Sequence, residues 1–191
     1  MKSKPKDRIL EKAKELFYEQ GYSATGINQI LSESNSAKAS FYESYPSKEI
    51  LAEKVLRSYQ TDILRWMRRM TKSCDTPDKF INIFTKSIKG QLKNKLAFRR
   101  GCPIAIFSIH FPTPNGEIRK EFEKLSNTWK KVFVKLLKNW ANKRLILQKG
   151  KEEDTAMMIL NSYEGSLMMW NLTKDDKYID ILKDQLKRII I

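Results

Sequence analysis

Hydroxyl and amino groups that could bind an anion are concentrated between residues 25 and 48. Thr25 and Lys48 stand at the predicted beginnings of helices, and Lys38 and Ser40 lie on the exposed face of a short helix between them. A helix N-terminus attracts anions, and Lys and Ser side chains hydrogen-bond to phosphates and to base edges. The pattern predicts contacts with a phosphate backbone, the alternatives being a plain N-cap for Thr25 and a solvated side chain for Lys38.

Residues for catalysis or metal binding are scarce. The chain has one histidine, His110, and its two cysteines, Cys74 and Cys102, lack the spacing of metal ligands. We find no glycine-rich phosphate loop, no pair of carboxylates on a shared face and no Cys/His triad. The sequence therefore predicts a protein that is not an enzyme, with no cofactor and no metal, and with reduced thiols unless one of them senses redox state.

The residues around these groups are arranged as short helices. An apolar stripe predicts a helix over 5–20, and two short helices follow over 25–34 and 37–43, with Thr25 and Ser36 as N-caps. Asn35 occupies the turn between them, because Asn tolerates a left-handed backbone. A longer helix is predicted over 48–71, capped by Ser47. Two short helices joined by a tight turn and braced by a preceding helix form a helix-turn-helix.

The rest of the chain is also predicted to be helical, which makes the fold class all-α. An apolar stripe runs from Phe80 to about Leu96, and further helices are expected over 117–147, 152–172 and 177–190. The apolar segment 104–111 is interpreted as a buried helix, although periodicity alone does not exclude a strand over so short a length.

Residues 8–55 resemble the tetracycline-repressor (TetR) family. The match consists of Gly21-Tyr22, Thr25, Ile27, Ile30, the segment from Ala37 to Tyr42 and the segment from Tyr45 to Glu49. The resemblance implies a DNA-binding domain over 1–55 and a larger helical effector-binding and dimerisation domain over 56–191. It also implies that Tyr42 binds phosphate and that Phe41 points into the core. The DNA-binding residues are then Thr25, Ser36, Lys38, Ala39, Ser40, Tyr42 and Lys48.

The turn and the second short helix depart from the family's usual residues. Ser34-Asn35-Ser36 stand where the family has Ala-Gly-Val, and Ala37 and Ala39 replace a Ser and a Gly. Asn35 should preserve the turn. Ala39 places a methyl group where the backbone approaches DNA, so we expect an altered register or base preference.

Dimerisation is predicted on helices 117–147 and 152–172. The first has an apolar stripe too wide for one neighbour, and the second carries small residues that permit close helix crossing. The family resemblance implies a homodimer, whose two-fold symmetry would match a palindromic operator. The alternative is that both are core helices of a monomer. The predicted interface residues are Leu136, Trp140, Ser162, Gly165, Ser166 and Met169.

An effector pocket is predicted from the abundance of aromatic residues after residue 60. Glu164 lies within an apolar run and needs either a partner in the protein or a cationic ligand. His110 is interpreted as a satisfied core histidine rather than a catalyst. The charge of this part favours a neutral or anionic effector. The candidate residues are Trp66, Phe84, Cys102, Phe107, His110, Trp129, Glu164 and Trp170.

Net charge supports a nucleic-acid partner but does not locate it. The chain carries +15, of which residues 1–60 contribute ten basic minus eight acidic, or +2, and residues 61–191 contribute 27 minus 14, or +13. A lysine-rich solvated surface explains most of this excess. A non-specific architectural DNA-binding protein is therefore the alternative to a sequence-specific regulator. No segment is apolar enough for a membrane span or for export, so we expect a cytoplasmic protein.

Overall fold

The computed structural model describes residues 4–93, 99–111, 116–146 and 150–191. These residues form helices without any strand, which confirms the expected all-α fold. No helix among them combines the length and apolarity that crossing a bilayer requires. The helices are α1 (Pro5–Glu19), α2 (Ile27–Glu33), α3 (Lys38–Ser44), α4 (Lys48–Lys72), α5 (Pro77–Lys93), α6 (Pro103–His110), α7 (Gly116–Asn142), α8 (Glu152–Thr173) and α9 (Lys177–Ile190).

The chain divides into two compact units. The first comprises Met1–Asp62 and Pro103–Glu123, and the second comprises Ile63–Cys102 and Lys124–Ile191. Helix α6 and the first turns of α7 therefore belong to the same unit as α1, α2 and α3. The predicted domain division after residue 55 stays a prediction, because these units describe packing rather than independent folding.

The first unit is built on the apolar face of α1. Ile9, Ala13, Leu16 and Phe17 recur every three or four residues, so they lie on one side of the helix and are buried. Through this face α1 packs against α2, α3 and α6. The Phe17 ring lies 5.9 Å from the ring of Phe107 on α6. This core holds the two short helices in place.

The second unit has an aromatic core. The predicted stripe on α5 is buried, and its Phe80 and Phe84 rings lie 5.6 Å from Trp140 and 6.1 Å from Phe133 on α7. Helix α9 packs against both α8 and α5. The predicted end of the α5 stripe near Leu96 lies outside the described residues.

Helix α7 ends earlier than the sequence predicted. We expected it to continue to Leu147, but it ends at Asn142. The N–H of Leu145 donates to the Trp140 carbonyl, and Arg144 adopts a left-handed φ of 58°. This hydrogen bond and this conformation form a Schellman motif, which terminates a helix. Arginine has no preference for that conformation, so the sequence carried no signal for it.

Candidate nucleic-acid interface

The turn between α2 and α3 is a second Schellman motif. Asn35 has a left-handed φ of 48°, as predicted. The Asn35 N–H donates to the Ser32 carbonyl, and the Ser36 N–H donates to the Leu31 carbonyl. These bonds satisfy carbonyls at the end of α2 and reverse the chain direction within a few residues. Asparagine thus fills a position that otherwise favours glycine.

Arg8 of α1 fixes this turn from the outside. Its Nε donates to the Ser34 carbonyl at 3.0 Å, and its Nη2 donates to the Asn35 carbonyl at 2.8 Å. The planar guanidinium offers both donors at once. Sequence analysis missed this residue, because its first partner lies 26 positions away and no local pattern connects them.

Two aromatic residues anchor α3. Phe41 is fully buried, as predicted, and its ring lies 5.9 Å from that of Tyr45. The Tyr45 hydroxyl donates to the Lys6 carbonyl of α1 at 3.0 Å. Burial, with a smaller contribution from the Asp7 carboxylate, raises the pKa of Tyr45 to about 12, so the phenol stays protonated and keeps this bond.

The opposite side of α3 is open to solvent. Lys38, Ala39 and Glu43 are exposed, Tyr42 is 47% exposed, and Ser40 is half-buried. Ala37 occupies the N-cap without a side-chain hydrogen bond. The helix therefore presents an ammonium group, a phenol hydroxyl and a small methyl surface to a partner, while its aromatic anchor faces the core.

Two of the predicted caps are wrong. Gly26, rather than Thr25, is the N-cap of α2, and the Thr25 side chain is fully buried, with its hydroxyl donating to the Gly21 carbonyl at 2.7 Å. The Ser36 hydroxyl donates to the Ser34 carbonyl at 3.2 Å and does not cap α3. Both hydroxyls stabilise the turns that precede the helices. The burial of Thr25 removes its hydroxyl from the accessible surface.

The beginning of α4 matches the sequence more closely. Ser47 accepts the Ile50 N–H at 3.2 Å, which confirms it as a cap. The Lys48 ammonium lies 4.2 Å from the centroid of the Tyr22 ring. Burial lowers the pKa of Lys48. A cation–π contact thus offsets the unfavourable position of this lysine at a positive helix end, an explanation that the sequence alone did not offer.

Six of the predicted effector residues lie in the second unit. The Trp66 ring lies 5.8 Å from Phe84, and its Nε1 donates to Ser87. Trp170 donates through Nε1 to Asp176 at 3.0 Å. Trp129 is buried, and its Nε1 has no acceptor among the described residues. A buried donor without a protein partner is available to a ligand.

The buried Cys102 and the half-buried Glu164 form a pair in the same unit. The thiol hydrogen-bonds to the carboxyl group, which gives Glu164 the partner that its apolar surroundings require. Burial nevertheless dominates and raises the pKa of Glu164 to about 7. The carboxyl group is therefore divided between its neutral and charged forms near neutral pH. No cluster of metal-binding side chains occurs among the described residues.

The other two effector candidates lie in the first unit. The Phe107 ring packs 5.9 Å from Phe17 and 6.4 Å from Tyr22. His110 is exposed, so its interpretation as a core histidine is wrong. It ends α6, and a Cβ added at Gly21 would come within 3.0 Å of its ring. These two residues therefore belong to a different unit from the other six.

Two predicted dimer residues face the interior. Trp140 is fully buried against Phe80 of α5, and Ser166 is also buried. Trp140 therefore has no surface left for a partner helix within this chain's packing, and the assignment of both residues to an interface stays a prediction. Leu136 and Ser162 are half-buried, and their role in an interface stays a prediction.

Helix α8 instead exposes an apolar face. Gly165 and Met169 are exposed, and a Cβ added at Gly165 would have no neighbour within 4 Å. Ile181 is an exposed apolar residue of the neighbouring helix α9. The large exposed apolar residues of α8 are Met157, Met158, Met168, Met169 and Leu172.

Comparison with protein families gives two matches that follow one another along the chain. Residues 9–55 match the family model described as bacterial regulatory proteins, tetR family. Residues 77–185 match the C-terminal domain of LmrA/YxaF-like transcriptional regulators. The first match contains the helix-turn-helix, and the second covers more than half of the chain.

Related proteins and structures agree with these matches. The HTH-type transcriptional regulator YxaF of Bacillus subtilis (strain 168) is 29% identical, over 97% of this chain and 94% of its own length. The HTH-type transcriptional repressor DhaR of Mycobacterium sp. (strain GP1) is 21% identical, over 92% and 86%. Reduced NemR of E. coli has the same fold, with a TM-score of 0.88, 15% identity and coverage of 98% and 97%.

Proposed function

The chain belongs to the TetR family of bacterial regulatory proteins and is a helix-turn-helix transcriptional regulator, and we propose that it is a repressor released from a palindromic operator by a small molecule. The exposed face of α3 carries the proposal. Lys38, Ala39 and Tyr42 are accessible there, while Phe41 anchors the helix to the core. A helix supported in this way can enter the major groove.

The residues proposed to bind or to support the DNA contacts have separate roles in the complex. Lys38 hydrogen-bonds to guanine acceptors, and Ser40 contacts a neighbouring base edge from its half-buried position. Tyr42 and Lys48 donate to backbone phosphates, which fix the register of the helix. Ala39 lies against the DNA and influences which bases fit. Ser36 supports these contacts by ordering the turn, and Thr25 acts in the same way through its buried hydroxyl.

The regulator acts as a homodimer through α8. An exposed apolar helix face favours association, and the open space at Gly165 allows a second helix to approach closely. A two-fold dimer places two recognition helices about one helical turn of DNA apart, which suits a palindrome.

The effector binds in the second unit. The Trp129 indole supplies an unused donor, Trp66 and Phe84 supply aromatic surface, and the Glu164 carboxyl group is sensitive to ligand charge. A cationic effector loses affinity on Glu164→Gln, whereas a neutral one does not. Helix α4 links effector to DNA, because Lys48 and Trp66 lie about five turns apart on it. Operator DNA must then lower the affinity of the protein for the effector by the same factor by which the effector lowers its affinity for operator DNA.

Selection of binding sequences from random duplexes, followed by footprinting, tests operator recognition. We expect an enriched palindrome protected over both half-sites. Lys38→Ala should relax the preference for one base at particular operator positions. It should also weaken binding to the enriched operator by about 1–3 kcal/mol. Random DNA should bind the variant and the unaltered protein almost equally, because a base contact adds little there. Uniform weakening on every sequence would contradict a base contact by Lys38.

The alternative is a non-specific architectural protein, favoured by the +13 charge of residues 61–191. Such a protein binds through phosphate neutralisation alone. It would enrich no sequence in the selection, and its affinity for all duplexes would fall in parallel with added salt. Ligands that bind the second unit without changing operator affinity would instead leave a repressor that does not respond to an effector.

A further inference from the structure

A basic groove lies between the C-terminal turns of α4 and the second half of α7, within the second unit. Its volume is about 760 Å³. Arg68 and Lys72 come from α4, and Lys131, Lys135 and Lys138 come from α7. They stand at helical spacings of three and four, so each helix presents its cations on one side. No acidic residue among those that the structure describes lines the groove.

These five cations have no carboxylate partner among the described residues. Glu153 is close enough to interact with Lys138 and Lys131, but its ion pair is with Lys130 at 2.8 Å. The Lys130 ammonium group is also the main reason why the pKa of Glu153 lies below its ordinary value. The positive charge of the groove is therefore not neutralised by the protein around it.

The remaining lining residues give the groove an apolar part. Val132 and Leu136 of α7 lie between the cations along the helix. The hydroxyls of Thr71 and Thr128, which also line the groove, donate to carbonyls of their own helices. Within the described part of the chain, no aromatic side chain lines the groove. It therefore combines positive charge with aliphatic surface and offers no ring on which a base could stack.

We propose that this groove binds an amphipathic organic anion, with an apolar body and two or more negative charges. Its volume lies within the range of about 300–1,000 Å³ typical of small-molecule sites. Lys131 and Lys138 lie about 10 Å apart along α7, a distance that two charged groups on one molecule can bridge. The apolar body packs on Val132 and Leu136, a contact that a DNA backbone would not use. The site is separate from the residues assigned to the effector and does not depend on DNA binding.

The dye bis-ANS, which joins two anilinonaphthalene sulfonates, is a suitable probe. The full-length protein should bind it with increased fluorescence, and added salt should weaken this binding because the contacts are exposed charges. N-phenyl-1-naphthylamine is one of the two anilinonaphthalene units of this dye without its sulfonate, and it should not bind the groove. The double variant Lys131→Gln/Lys135→Gln should bind bis-ANS about tenfold more weakly. The matched control Lys86→Gln/Lys124→Gln removes two exposed charges outside the groove and should bind as the unaltered protein does.

Thermal melting of both double variants establishes that each is folded. Equal bis-ANS affinity in the groove variant and the control would overturn the proposal. Equally tight, groove-dependent binding of the uncharged naphthylamine would overturn the requirement for an anion. A random DNA duplex provides the last comparison. If the groove variant loses DNA affinity but keeps dye affinity, the groove is a nucleic-acid surface and the proposal fails.

Discussion

Lys48 illustrates how one side chain can have a structural contact and a proposed binding role. Its ammonium group lies over the Tyr22 ring, and burial lowers its pKa. The cation–π contact holds the amine near the helix N-terminus, where a phosphate would be attracted.

Lys48→Ala should weaken binding to operator and to random DNA by similar factors, because a phosphate contact carries no sequence information. The slope of log affinity against log salt concentration should fall by about one unit. Fluorescence anisotropy across a salt series measures both quantities. Lys187→Ala, which removes an exposed lysine of α9, serves as the control and should leave the slope unchanged. An unchanged slope for Lys48→Ala would remove this residue from the interface.

Glu164 should make stability depend on pH. Burial raises its pKa to about 7, whereas a glutamate in an unfolded chain titrates near about 4.3. The folded state therefore holds the proton more tightly. Stability contributed by the neutral form is complete below about pH 4.3 and is lost as the pH rises through about 7, by at most about 4 kcal/mol.

Glu164→Gln should remove this loss, since glutamine stays neutral at every pH. Urea unfolding at pH 5, 6, 7 and 8 gives the free energy of unfolding of each protein. We expect the difference between variant and unaltered protein to shift in favour of the variant as the pH rises. Asp184→Asn, at an exposed position of α9, is the control. Parallel pH profiles for Glu164→Gln and the unaltered protein would refute this role.

At the level of elements, the turn between α2 and α3 depends on two contributions of different range. Asn35 supplies the left-handed residue locally, and Arg8 supplies hydrogen bonds from α1. The position of α3 thus follows from α1 as much as from the turn itself. The end of α7 at Arg144 has the same Schellman geometry with a residue that gives no sequence signal.

Arg8→Ala should lower the free energy of unfolding by about 1–3 kcal/mol, because two charge-assisted hydrogen bonds to the turn are lost. Operator affinity should fall as well, since α3 is held less firmly. Arg8→Lys should recover little of this lost stability and affinity, because one ammonium group does not reproduce the two-donor guanidinium fork. Arg119→Ala breaks an exposed pair with Glu123 and should have a much smaller effect. Equal melting temperatures for the two alanine variants would contradict this assignment.

At the level of the whole molecule, the exposed face of α8 governs the proposed dimer. Gly165 is exposed and has open space around it, so Gly165→Leu should leave the fold of the subunit intact. In a dimer the added side chain would crowd the second helix and weaken association by about 1–3 kcal/mol. Gly90→Leu is a matched control, because Gly90 of α5 is also exposed with no neighbour within 4 Å.

Sedimentation over a range of protein concentrations compares the two leucine variants. We expect the Gly90 variant to associate as the unaltered protein does. The Gly165 variant should already dissociate at protein concentrations at which the unaltered protein is still a dimer. A Gly165 variant that dimerises as tightly as the control would place the interface on another surface. Helix melting of both variants, followed by circular dichroism, separates a loss of association from a loss of fold.

The sequence by itself determined the all-α fold, the helix-turn-helix and the family. These follow from local information: the 3.6-residue periodicity of apolar residues in α1, the left-handed preference of Asn35 and the ordered motif from Gly21 to Glu49. Ser47 was correctly identified as a cap for the same reason, because its partner Ile50 lies three residues away. Such features depend on neighbours in the chain and need no knowledge of tertiary contacts.

Only the tertiary structure decided which polar and apolar groups are accessible. Thr25 and Trp140 have residue types suited to an interface, yet both are fully buried, whereas His110 is exposed despite its apolar neighbours in sequence. The Arg8 hydrogen bonds and the basic groove between α4 and α7 join residues far apart in the chain. Exposure and long-range pairing depend on which helix faces pack together, and periodicity identifies an apolar face without identifying the surface that covers it.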